Sequence, residues 1–144
     1  QRLISSLLNT LCNDKRISMP TDQEIADVFQ KYVDGVTGDD VEVILDLYSD
    51  DAVVEDPVGT PAHVGKEALR EFYQKAVEMV ELMTIECNPR VRAEASVGAC
   101  AMRAYPRDGN GMYIEVLDVM TFNEEGKVTT MTAYWGDSNL KADN

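Results

Sequence analysis

Apolar positions recur along this chain first with helical spacing and then with the alternation of strands. Ile25, Val28, Phe29, Tyr32, Val33 and Val36 fall on one stripe of a 3.6-residue repeat, which predicts a helix from Thr21 to Thr37. Thr21 followed by Glu24 is a capping-box pair, and Gly38 ends the run. Asp39 and Asp40 cap a second, shorter helix that reaches Leu47 and Tyr48. A strand over Ala52–Asp56 comes next, and Pro57-Val58-Gly59-Thr60-Pro61 breaks it as a loop. Leu69, Phe72, Tyr73, Ala76, Val77 and Val80 form the stripe of a third helix over Lys66–Val80.

Beyond that point the period changes to two. Met83–Cys87 and Arg90–Ala95 read as short strands separated by Asn88-Pro89. Gly98–Tyr105 and Met112–Phe122 flank Asp108-Gly109-Asn110-Gly111, a strong hairpin signal. Asn123-Glu124-Glu125-Gly126 turns the chain into a last strand, Lys127–Trp135. Three helices followed by an antiparallel meander predict an α+β domain with the helices across one face of the sheet.

The 144 residues suit one core. We read 19–144 as a single domain and 1–18 as an N-terminal extension to which the pattern assigns no role. That extension has helix-spaced leucines but neither a basic start nor a small-residue cleavage site. Thirteen Lys+Arg against 26 Asp+Glu give a formal net charge of −13, a field that repels nucleic acid and anionic membrane surfaces but not an uncharged small molecule. No apolar run approaches the ~20 residues of a bilayer span. Three irregularly spaced cysteines, Cys12, Cys87 and Cys100, make neither a disulfide framework nor a metal pattern, and a cytoplasmic setting is expected.

Within this pattern, polar residues stand where apolar ones belong. By parity, Ile114, Val116, Asp118, Met120 and Phe122 share one face of their strand, so Asp118 sits in the middle of the apolar side. A carboxylate there must meet a cation or keep its proton. Ala52, Val54 and Asp56 likewise share a face, with Asp56 at the strand's end, where a charged carboxylate can act as a base. Tyr32, Tyr48 and Tyr73 each fall on a helical stripe, and buried phenol hydroxyls need partners. An ordinary reading stands beside each of these: a core tyrosine, or a paired structural carboxylate. The acidic group Asp50, Asp51, Glu55 and Asp56 is split by alternation and gives no metal site. His63, in the Pro-rich loop, reads as a surface residue. No nucleophilic triad and no phosphate loop is present in the sequence.

Val54-Glu55-Asp56-Pro57, Leu117-Asp118-Val119-Met120 and Ala133-Tyr134-Trp135, in this order and spacing, resemble the bacterial ketosteroid isomerases. Tyr32 and Tyr73 also fall where that family has its tyrosines. The resemblance spans about Thr21 to Asn139. It implies a curved antiparallel sheet packed on three helices, enclosing a conical pocket, in the nuclear transport factor 2-like (cystatin-like) class. It implies a homodimeric steroid Δ5-isomerase that needs no cofactor or metal. Asp56 takes the position of the general base, and Tyr32 and Asp118 those of the oxyanion hole. Tyr48 and Tyr73 match a supporting network, and Met102, Val116, Met131 and Trp135 fall near positions that line the steroid pocket. The alternatives are a polyketide cyclase or dehydratase on the same scaffold and a non-catalytic module that binds an apolar ligand.

Overall fold

The computed structural model describes residues 19–142. The leucines of the N-terminal extension and Cys12 lie outside them. Helix α1, Asp22–Thr37, begins with a capping box, in which the Glu24 N–H donates to the Thr21 hydroxyl and the Thr21 N–H to the Glu24 carboxylate, each at 3.1 Å. Its stripe, from Ile25 to Val36, is buried. Helix α2, Val41–Asp46, starts under an Asp40 cap. Helix α3, Lys66–Met79, buries Leu69, Tyr73 and Val77.

Eight strands follow or interrupt these helices: β1 Tyr48–Glu55, β2 His63–Val64, β3 Val80–Ile85, β4 Arg90–Arg92, β5 Val97–Pro106, β6 Met112–Phe122, β7 Val128–Tyr134 and β8 Leu140–Ala142. They form one sheet in the order β2-β1-β7-β6-β5-β3, with β4 on β5 and β8 on β6. The α+β expectation holds. The sheet, however, is mixed, because β1 runs parallel to β7. The β5–β6 hairpin turns through Asn110 and Gly111, both with positive φ (52° and 82°), which the Asn-Gly pair accommodates cheaply. Register shifts in β1, β3 and β6 bend the sheet, and its inner face curves around the helices.

Two expectations need correction. Tyr48 belongs to β1 and not to a helix: α2 ends at Asp46, and the Leu47 carbonyl and Tyr48 backbone turn to pair with Val128. Arg90–Ala95 is a strand only as far as Arg92, after which Ala93–Ala95 winds into a 3₁₀ turn. Strand β6 has the bounds expected of it, and its inner residues Val116, Asp118, Met120 and Phe122 are all buried.

Candidate active site

One rung of the sheet forms the base of a hollow. Cys100, Asp118 and Ala133 are partners across β5, β6 and β7. The parallel register Val54–Met131 and Glu55–Thr132 brings Asp56 in beside Ala133, where the Val58 N–H donates to the Ala133 carbonyl at 2.8 Å. With strands ~4.8 Å apart, Asp118 and Asp56 rise from backbones roughly 10 Å apart. Both line the same cavity, of about 360 Å³. Its wall is made by Tyr32 and Val36 of α1, Phe72 and Ala76 of α3, Val116 of β6, and Trp135 just after β7. That volume lies in the range of small-molecule sites, ~300–1,000 Å³. A larger hollow of about 540 Å³, lined by Asp22, Asp27, Gln30 and Asn88, is a polar surface groove along the exposed side of α1 and holds none of these groups.

Asp118 is only 1% exposed, and neither carboxyl oxygen has a hydrogen-bond partner in the protein. Burial, reinforced by the negative charge of Asp56, pushes its pKa well above the carboxylate range. Burial thus disfavours the charged form of Asp118, the form that has no proton to donate. Asp56 is half-buried and accepts a hydrogen bond from the Trp135 indole N–H at 2.7 Å. Burial raises its pKa too, but the Trp135 bond and the nearby His63 oppose that rise. Two carboxyls in one hollow thus meet different surroundings: Asp118 has burial with no hydrogen-bond partner, and Asp56 has an N–H donor and partial exposure.

The three tyrosines meet at their hydroxyls. Tyr48 and Tyr73 share a short hydrogen bond, and the Tyr73 hydroxyl donates to that of Tyr32 at 3.4 Å. If Tyr73 gives its proton to Tyr32, Tyr48 supplies the proton to Tyr73, and the Tyr32 proton is left for the cavity. Burial, the largest cause, raises the pKa of Tyr32 well above that of an ordinary phenol, so it stays protonated. The tyrosines come from two helices and a strand, because Tyr48 opens β1.

The structure therefore brings Asp56, Tyr32, Asp118, Val116 and Trp135 to one cavity, with Tyr48 and Tyr73 behind Tyr32. Met131 and Met102 do not line it. Met131 belongs to the next rung, with Met120 and Val54, and is packed into the core at 1% exposure. Met102 pairs with Val116 but is fully enclosed. Sequence reasoning missed Val36, Phe72 and Ala76 as wall residues, although all three were on predicted helical stripes; a stripe tells that a residue faces inward, not that a hollow lies there. It also misread His63, which is half-buried against Phe72. Among the described residues no group of His, Cys, Asp and Glu could hold a metal ion, and no helix is long and apolar enough to cross a membrane.

Comparison with known proteins agrees with this architecture. Residues 29–131 match the SnoaL-like domain. The chain is 35% identical over 121 residues to a steroid Delta-isomerase of Nocardioides simplex, covering 81% of this chain and 94% of that protein. It is also similar in structure to the epoxide hydrolase/cyclase-like enzyme SalBIII, which has a role in pyran ring formation in the polyether salinomycin. There the TM-score is 0.74 at 27% identity, over 84% of this chain and 97% of that one. By sequence and fold, the chain belongs to the SnoaL-like family of nuclear transport factor 2-like domains and is a homologue of steroid Delta-isomerase.

Proposed function

We propose that this protein is a steroid Δ5-isomerase that converts 3-oxo-Δ5-steroids to their conjugated Δ4 isomers. The observation that carries the reading is the pairing, in one apolar cavity, of an enclosed and unpartnered carboxyl at Asp118 with a half-buried, hydrogen-bonded one at Asp56. The steroid O3 would lie between Tyr32 and Asp118, both donors, with the fused rings running along β6 past Val116 towards Ile114. Asp118 to Ile114 is four residues of strand, ~13 Å. Asp56 removes a proton from C4; the electron pair moves into the ring system and onto O3 as a dienolate. The same carboxyl then returns the proton at C6, and no net atoms are gained or lost. A ketone acidifies its α-proton only modestly, so donors fixed at the developing oxyanion carry much of the catalysis, about 10²–10³ in rate for each. The Tyr48–Tyr73–Tyr32 chain keeps the Tyr32 proton directed at O3.

The need for stabilisation at O3 also explains the two bare oxygens of Asp118. A module that only bound an apolar ligand would gain from a leucine there, since a buried carboxyl without a partner costs free energy. The structural likeness to SalBIII supports a second reading, a cyclase in which Asp118 protonates a substrate oxygen. The mostly apolar wall and the steroid isomerase homology favour the first. We also read the protein as a cytoplasmic homodimer. The exposed pair Leu117 and Tyr134, neighbours on the outer face of β6 and β7, is apolar surface that a second copy would cover.

The direct test adds a 3-oxo-Δ5-steroid to the purified protein and follows the ultraviolet absorbance of the conjugated enone. Turnover far above the buffer rate is expected, and Asp56→Asn should lose about 10²–10⁴ of it while still binding steroid. A wild-type rate no better than buffer would overturn the assignment.

A further inference from the structure

His63 is the chain's single histidine, and the sheet brings it to the flank of the cavity. It is the partner of Val54 in the antiparallel β1–β2 ladder, and such partners point to the same face. Val54 is fully buried, so the imidazole is directed to the inner side. Asp56 stands two residues beyond Val54, just past the end of β1, near enough to His63 for the imidazole to act on its carboxyl. On its other side the imidazole lies on the ring of Phe72, with centroids 4.6 Å apart and planes at 39°. Phe72 is itself part of the cavity wall. The ring is thus held between an edge strand and α3, beside the hollow.

We propose that His63 is a positioning residue for Asp56: as imidazolium, it holds the base in its charged form as the pH falls. This rests on the reading of Asp56 as the base. Of the side chains, imidazole is the one that ordinarily gains positive charge as the pH falls towards the range where carboxylates protonate. The other groups facing Asp56 do not replace that charge. Burial disfavours the charged forms of Tyr32 of α1, Tyr48 of β1 and Asp118 of β6. Trp135, after β7, supplies a dipole and not a charge. Glu55 is turned to the opposite face and accepts the Gly59 N–H at 2.5 Å. Lys75 of α3 lines the cavity, but it is exposed and screened. Around His63 itself, Glu71 of α3 and Asp50 and Asp51 of β1 are exposed. The stabilising influence of His63 on the Asp56 carboxylate agrees in direction with this geometry.

The test uses two variants of the full chain. His63→Phe keeps an aromatic ring on Phe72 and removes the charge; His63→Arg keeps a cation and gives up the imidazole. The Asp56 carboxyl is titrated by ¹³C NMR in the ligand-free protein, and kcat/KM is followed against pH. For His63→Phe the titration midpoint should move to higher pH, and kcat/KM at about pH 5 should fall threefold or more relative to that variant's own plateau. His63→Arg should keep the midpoint at or below that of the wild type. Midpoints unmoved in both variants, or displaced upward together, would overturn the proposal and leave His63 as packing alone. Failure of the base reading would be seen separately, as turnover surviving in Asp56→Asn.

Discussion

Position 118 offers the sharpest contrast between what a residue costs and what it does. Its carboxyl is enclosed and unpartnered, and burial favours the neutral form, whose O–H would be available to an oxygen in the cavity. Asp118→Asn leaves an N–H donor of similar shape, whereas Asp118→Leu leaves none. Leucine should therefore lower kcat by about 10²–10³ and asparagine by clearly less, measured with the steroid absorbance assay. Equal losses would mean that Asp118 does not act as a donor. Trp135 works through Asp56 instead. Its indole N–H stabilises the charged carboxylate, so Trp135→Phe should move the acid limb of kcat/KM to higher pH as the Asp56 pKa rises further. An unmoved limb would place the role of Trp135 in packing against substrate.

Elements explain why some of this was legible in the sequence. Strand β6 was readable because its inner face, Ile114, Val116, Met120 and Phe122, is apolar apart from Asp118, and a slip by one would turn those side chains to water and bring Glu115 and Thr121 inward. The inward Asp118 followed from that parity. Tyr48 was misread because a six-residue helix carries too few turns to mark its own end, and an apolar tyrosine fits either the stripe of α2 or the inner face of β1. β2 and β8, of two and three residues, have no period at all; they exist because β1 and β6 offer edges to pair with. The parallel β1–β7 pairing was invisible for another reason. It joins residues 77 to 80 positions apart in the chain, and only closure of the whole sheet chooses its direction. The missed role of His63 follows from β2, since without that strand no argument from register was possible. Helix-to-sheet packing gives its own test at Gly98, on the inner face of β5. A Cβ there would lie 2.9 Å from Phe29 Cε2 and 3.1 Å from Ile25 Cγ2, so α1 sits directly on the glycine. Gly98→Ala should cost about 1–2 kcal/mol through overpacking, partly offset by a stiffer unfolded chain. Urea melts should give a lower midpoint at unchanged slope.

For the whole molecule, the site works against stability in a pH-dependent way. An unfolded chain ionises Asp118 in the ordinary carboxylate range, near pH 4. The folded protein keeps that proton to a pH well above it, because burial and Asp56 disfavour the charge. Between those limits folding takes up a proton, so stability falls as the pH rises, by at most about 1.4 kcal/mol per pH unit for this one group. Below the unfolded pKa the contribution is fully present, and it is lost as the pH climbs through the folded value. Asp56, also raised, acts in the same sense. Repulsion within a chain of formal charge −13 adds a slope of its own, so the absolute trend is not diagnostic. The comparison with Asp118→Asn is. That variant keeps nearly the same shape and the same background charge but cannot titrate at 118. Unfolding free energies from urea melts at stepwise pH from 5 to 8 should decline more steeply in the wild type, with the gap to Asp118→Asn moving steadily in the variant's favour. Parallel lines would mean that Asp118 is already ionised across this range, and an ionised carboxylate in that position cannot donate to a developing oxyanion.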